Sequence, residues 1–147
     1  LSKKIIKDKI KLTASSIEEN CIPENILYLD DWKYFHSQYN QNNWICIDFK
    51  ENQIIPNSYE IKSYPFGINE QHPKSWVIEA SNNKISWFVV DEIKDCNCLN
   101  GRCVSHIFQI KNKSWQKYLR MRLTGPNFLG LNPLAINAIE FYGILFK

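Results

Sequence analysis

Four residues of this 147-residue chain have the types and the crowding of a metal site. Cys96, Cys98, Cys103 and His106 form a Cys-x-Cys-x4-Cys-x2-His series, and thiolate with imidazole at short spacing suits zinc. The spacing departs from the usual Cys-x2-Cys knuckle, and His106 falls where a strand should already have begun. Asn100-Gly101 is a strong turn signal in the same segment, which accounts for it as a hairpin tip. The expectation is a loop with incidental thiols and no bound metal.

Acid–base chemistry has equally thin support. His72 precedes Pro73 and lies away from any nucleophile motif, and His36 sits in a long loop. Asp30 and Asp31 could pair as carboxylates, yet Asp there more commonly shapes a turn or caps a helix. No Gly-x-Ser-x-Gly, His-Glu-x2-His or phosphate-cradling glycine loop occurs. Arg120 and Arg122 alternate on one strand face, with Glu140 as their expected carboxylate partner in a structural ion pair. The chain therefore reads as a binding module rather than an enzyme, with no cofactor.

The residues best suited to binding are aromatic. Aromatic side chains make up 14% of the chain, and several fall between strand-like runs rather than in them. The stretch from Ser16 to Asn43 carries Trp32, Tyr34, Phe35, His36 and Tyr39, an odd content for a plain connector. Loops that long inside a compact domain are usually functional or hold short structure of their own. Trp32, Tyr34, Phe35 and Phe66 are the candidate contacts, because exposed aromatics bury large area at low entropy cost. The competing reading for Trp32 and Phe35 is that they plug the end of the core.

Positioning these residues requires strands. Lys11–Ser15, 44–50, 58–64, 76–81, 85–91, 104–110, 118–123 and 134–146 each read as strand-length runs. Leu119, Met121 and Leu123 alternate cleanly against Tyr118, Arg120 and Arg122, and Tyr59 and Ile61 against Glu60 and Lys62. About eight irregularly spaced strands point to an all-β sandwich or jelly roll. No helix–strand alternation supports a nucleotide-binding α/β fold.

Composition agrees. The balance of 44% apolar and 22% charged residues is ordinary for a globular domain. A net charge of +3 is too small to argue for nucleic acid. The basic run within residues 1–9 reads as a solvated lead-in to a domain spanning 10–147. Asn, Ile and Lys are abundant and have AT-rich codons, so no single Asn is given special weight. No apolar run approaches the ~18 residues of a membrane span. Five cysteines, an odd number with three crowded together, suit a reducing compartment, where all five thiols should be free.

Several motifs occur in order along this framework. Leu12-Thr13-Ala14-Ser15-Ser16, Pro23-Glu24-Asn25-Ile26-Leu27 and Trp44-Ile45-Cys46-Ile47-Asp48-Phe49-Lys50 open the series. Tyr59-Glu60-Ile61-Lys62-Ser63-Tyr64 and His72-Pro73-Lys74-Ser75-Trp76 follow. Tyr118 through Thr124-Gly125-Pro126-Asn127 and Ile139-Glu140-Phe141-Tyr142-Gly143 close it. Together they resemble the coagulation factor V/VIII C-type, or discoidin, domain over about residues 10–145. The His-Pro-Lys-Ser-Trp and Thr-Gly-Pro-Asn elements resemble its intracellular branch, found beside BTB and kelch scaffolds.

The resemblance implies an eight-stranded jelly-roll β-sandwich of the galactose-binding-domain-like kind, with ligands met by loops at one end. It implies a ligand end built from Trp32, Tyr34, Phe35, His36, Phe66, His72 and Asn127. Secreted members commonly tie their two ends with a disulfide, and nothing after Cys103 could supply the second cysteine. The expected function is docking of a protein partner by a cytoplasmic scaffold. The alternative is binding of a carbohydrate or phospholipid head group by a secreted or surface protein.

Overall fold

The computed structural model describes residues 8–147, so most of the expected basic lead-in lies outside the described residues. Ten strands follow in order: β1 (Lys11–Ala14), β2 (Phe35–His36), β3 (Trp44–Asp48), β4 (Gln53–Lys62), β5 (Trp76–Ser81), β6 (Phe88–Ile93), β7 (Ser105–Gln109), β8 (Tyr118–Leu123), β9 (Ala135–Ile136) and β10 (Ala138–Phe146). A 3₁₀ turn covers Pro23–Leu27, with Pro23 at its start, where the missing N–H costs nothing. Among the described residues no helix is long and apolar enough to cross a membrane.

Eight of these strands form a two-layer sandwich. One sheet has the order β1-β3-β8-β5-β6 and the other β10-β4-β7, and every pairing is antiparallel. The inward faces are the ones that alternation predicts: Leu119, Met121 and Leu123 from β8, Tyr59 and Ile61 from β4, all buried. Trp76 and Tyr59 fill the middle without stranding their polar atoms. The indole N–H of Trp76 donates to the Tyr59 hydroxyl at 3.1 Å, and that hydroxyl donates to Asp91 at 2.6 Å. Burial and the Asp91 carboxylate push the phenol far above its usual range.

Three departures from the expected strands have physical causes. β4 begins at Gln53, not Ser58, and runs through Pro56. β7 pairs only Ser58–Lys62, and the β10 ladder slips between Tyr142 and Gly143 opposite Pro56, so no partner needs the absent N–H. Gly143 is required there, since a Cβ would lie 2.0 Å from the Ile55 carbonyl oxygen. β6 starts at Phe88, because Ser81 and Asn83 side chains wrap the 82–87 turn. Ser81 Oγ accepts from the N–H groups of Asn83 and Lys84, and Asn83 Oδ1 from those of Ile85 and Ser86. The last expected strand is split at Asn137, whose side chain is used elsewhere.

The register places four crossing connections at one end of the sandwich: 15–43, 63–75, 94–104 and 124–137. The starts of β3, β5, β7 and β10 lie there with the ends of β1, β4, β6 and β8. The short β2–β9 pair stitches the first of these connections to the last.

Candidate functional site at the loop end

Loops this long hold a shape only if their backbone polar groups find partners. Buried asparagines provide many of them. Asn43 donates from Nδ2 to the carbonyls of Gln38 (2.8 Å), Asn40 (2.7 Å) and Asn132 (3.2 Å), while its Oδ1 accepts from Ser15 and Ser16. Asn137 donates to the carbonyls of Asp30 (2.9 Å), Asp31 (3.3 Å) and Lys33 (2.9 Å). Asn127 donates to the Pro133 carbonyl and accepts from the N–H groups of Leu129 and Leu131.

An aromatic cluster stands on this scaffold. Trp32 meets Phe66 edge-on with ring centroids 6.4 Å apart, and Tyr34 meets Phe66 at 6.0 Å and Tyr64 at 5.5 Å. Tyr64 in turn packs against Phe66 at 4.8 Å and His72 at 5.0 Å. Trp32 is 62% exposed and Phe66 39%, whereas Tyr64 is buried; burial pushes the Tyr64 phenol up to about 12. Tyr34 is half-buried. Burial raises its phenol, with the Cys21 thiol adding to the effect.

The 94–104 connection brings a cation to the cluster. The Arg102 guanidinium lies 5.4 Å from the Trp32 ring centre, a cation–π arrangement. Its loop is fastened by the Ser63 hydroxyl donating to the Gly101 carbonyl (2.6 Å) and by Asn69 N–H donating to Asn100 Oδ1 (2.7 Å). Beside Trp32, Asp31 pairs with Lys62 at 2.7 Å. The Lys62 hydrogen bond and charge hold the Asp31 carboxyl below its usual range, with a smaller push from Arg102.

The seven expected contact residues therefore separate by environment. Trp32, Tyr34 and Phe66 come together at the surface. Phe35 does not reach solvent: it is fully buried, because β2 turns it inward opposite Ile136. His36 is also buried, with Nδ1 on the Ser37 carbonyl (2.6 Å) and Nε2 beside Gln71 Nε2 (3.2 Å). His72 is buried with Nε2 on the carbonyls of Phe66 (3.0 Å) and Gly67 (2.7 Å), so it shapes the Phe66 turn. Asn127 is likewise buried and braces its own turn.

Arg102 escaped the sequence reading. The one available signal was a cation immediately after the Asn100-Gly101 turn, a position at a loop tip. Gln71 was missed too; its Oε1 is buried without a hydrogen-bond donor among the described residues.

Two further expectations need correction. The thiols are not all free: Cys96 and Cys98 form a disulfide, leaving Cys21, Cys46 and Cys103. Two residues of separation allow the bridge to close within the loop, without the distant partner that the sequence lacks. His106 lies tilted beside Phe108 at 4.6 Å on β7, and no three metal-ligating side chains converge among the described residues. The carboxylate facing Arg120 and Arg122 is Glu79, at 3.2 Å and 2.5 Å, and not Glu140. β5 lies beside β8 in the five-stranded sheet, whereas Glu140 belongs to the other sheet.

No family model and no curated protein sequence matches the chain. Solved structures do. A family 32 carbohydrate-binding module from a family 31 glycoside hydrolase of Clostridium perfringens superposes with a TM-score of 0.77 at 18% identity, covering 98% of this chain and 94% of that one. The family 32 module of C. perfringens NanJ, solved in complex with galactose, gives 0.72 at 12% identity over 92% and 94%. A fucolectin from striped bass (Morone saxatilis) serum gives 0.73 at 18% identity, covering 92% of this chain and 47% of that one. The fold is thus the galactose-binding-like, discoidin-like β-sandwich.

Proposed function

We propose that this domain is a non-catalytic carbohydrate-binding module that takes a saccharide at the loop end. The observation that carries the reading is the exposed Trp32–Phe66–Tyr34 cluster with Arg102 beside it. An aromatic face offers the C–H face of a pyranose a flat apolar contact, while nearby polar groups take its hydroxyls. Arg102 supplies donors for those hydroxyls. The resemblance to carbohydrate-binding modules and lectins supports this over docking of a protein partner.

A panel of immobilised glycans probed with the domain, beside a pull-down from cell extract, tests the choice. Retention on one or more glycans, reduced at least tenfold by Trp32→Ala, is the expected result. A blank panel together with Trp32-dependent capture of a protein would overturn the saccharide reading.

A further inference from the structure

The outer face of the five-stranded sheet carries a second, separate constellation. Register aligns Cys46, Arg120 and Glu79 across β3, β8 and β5, with Trp44, Arg122 and Val77 in the adjacent row. Glu79 receives two guanidiniums on one oxygen: Nε of Arg120 and Nε of Arg122 both donate to Oε1. One carboxylate neutralises one of them, so the cluster keeps an excess positive charge. The terminal guanidinium nitrogens have no acceptor among the described residues. Arginine presents its donors as a planar fork suited to a carboxylate.

Aromatic rings wall this cluster. The Arg120 guanidinium lies 3.9 Å from the Trp87 ring centre and 5.6 Å from that of Trp44. One row further along, Lys84 and Lys117 stand 4.9 Å and 5.6 Å from the Tyr118 ring. Trp44, Trp87, Arg120 and Arg122 are all partly exposed, over a floor of buried Cys46, Val77 and Ser81. The other acids of this face are occupied: Asp48 accepts from the Lys50 N–H, and Glu92 pairs with Lys94. Arg120 and Arg122 thus share one carboxylate, while Lys84 and Lys117 add positive charge one row away, beside Asp48.

We propose that this sheet face is a second binding surface, selective for a saccharide that bears a carboxylate. The acid group sits on the free guanidinium edges of Arg120 and Arg122, and the sugar ring packs against the exposed edges of Trp44 and Trp87 that flank Arg120. The ligand class rests on the saccharide reading of the loop end, but the surface shares no residue with it.

The test is an NMR titration of the whole domain with three probes: a galacturonic acid trisaccharide, a neutral galactose trisaccharide and inorganic sulfate. The uronate should shift the Trp44 and Trp87 indole signals and the Arg120 and Arg122 side-chain signals, and the neutral sugar should not. Arg122→Gln should weaken uronate binding about tenfold, Arg122→Lys should weaken it less, and Trp32→Ala should leave it unchanged. If the loop end binds no sugar while uronate still shifts this face, the inference stands and the loop-end reading falls. Uronate that leaves these four residues unshifted, sulfate binding there as tightly as uronate, or loss of uronate binding by Trp32→Ala alone would overturn it. Wild-type shifts decide the matter even if an Arg122 variant fails to fold.

Discussion

The side-chain amide of Asn137 donates to the backbone carbonyl of Lys33 at 2.9 Å, across 104 residues of sequence. With its bonds to Asp30 and Asp31, this one amide fixes the turn that presents Trp32. Replacing Asn137 with Ala strands several carbonyls. Leaving a buried polar group unsatisfied costs about 1–3 kcal/mol, partly relieved here by solvent at the exposed Asp30 and Asp31. Asn137→Ala should lower the unfolding free energy by about 1–2 kcal/mol in a denaturant titration and weaken ligand binding as much as Trp32→Ala does. A variant with unchanged affinity would show that the turn holds without the amide.

Trp32 and Phe35 lie three residues apart and should behave oppositely. Phe35 is fully buried, and removing a buried Phe side chain costs about 3–5 kcal/mol. Trp32 is mostly exposed, so Trp32→Ala should change stability by about 0.5 kcal/mol or less. Thermal melts of the two variants check this directly.

The Glu79 cluster predicts an acid limb in stability. Burial alone would raise the carboxyl, but hydrogen bonds from Arg122 and Arg120, reinforced by their charges, outweigh it and hold the group below the usual carboxylate range. A carboxyl depressed on folding contributes stability that is fully present above its unfolded value near pH ~4.3. That contribution is lost as pH falls through the lower folded value. Glu79→Gln should cost about 2–4 kcal/mol at neutral pH and flatten the dependence below about pH 4.3. Urea titrations of both proteins between neutral and acid pH measure it.

Thiol chemistry separates the five cysteines. Denatured without reductant, the chain should show the three thiols of Cys21, Cys46 and Cys103, and all five after reduction. In the native state Cys46 should be alkylated last, since it is 2% exposed and burial pushes its thiol up to about 11. Mass spectrometry after timed alkylation reads both results.

Strand faces were legible in the sequence because alternation is a local signal: Leu119, Met121 and Leu123 could be placed inward from their spacing alone. The aromatic loop was not resolvable that way. Tyr34 and Phe35 are neighbouring aromatics of similar size, and only the pairing of Phe35 with Ile136 decides which one turns inward. Asn43, Asn127 and Asn137 were indistinguishable from the chain's many other asparagines, because what each one bonds is set by how the loops fold, for Asn137 by carbonyls more than 100 residues away. The same limit hid the partnership of Glu79 with Arg120 and Arg122, which follows from strand order. The Cys96–Cys98 bridge carries no sequence signal of its own, because Cys96, Cys98 and Cys103 crowded in one loop are equally compatible with free thiols or a metal set.

The central claim is that a saccharide sits on Trp32 and Phe66. Isothermal titration of a glycan retained on the panel into wild type and into a Trp32→Ala, Phe66→Ala double variant, with melts alongside, tests it most directly. The account predicts a loss of at least about thirtyfold in affinity, near 2 kcal/mol, in a variant that melts within a few degrees of wild type. Unchanged affinity in that well-folded variant would contradict it.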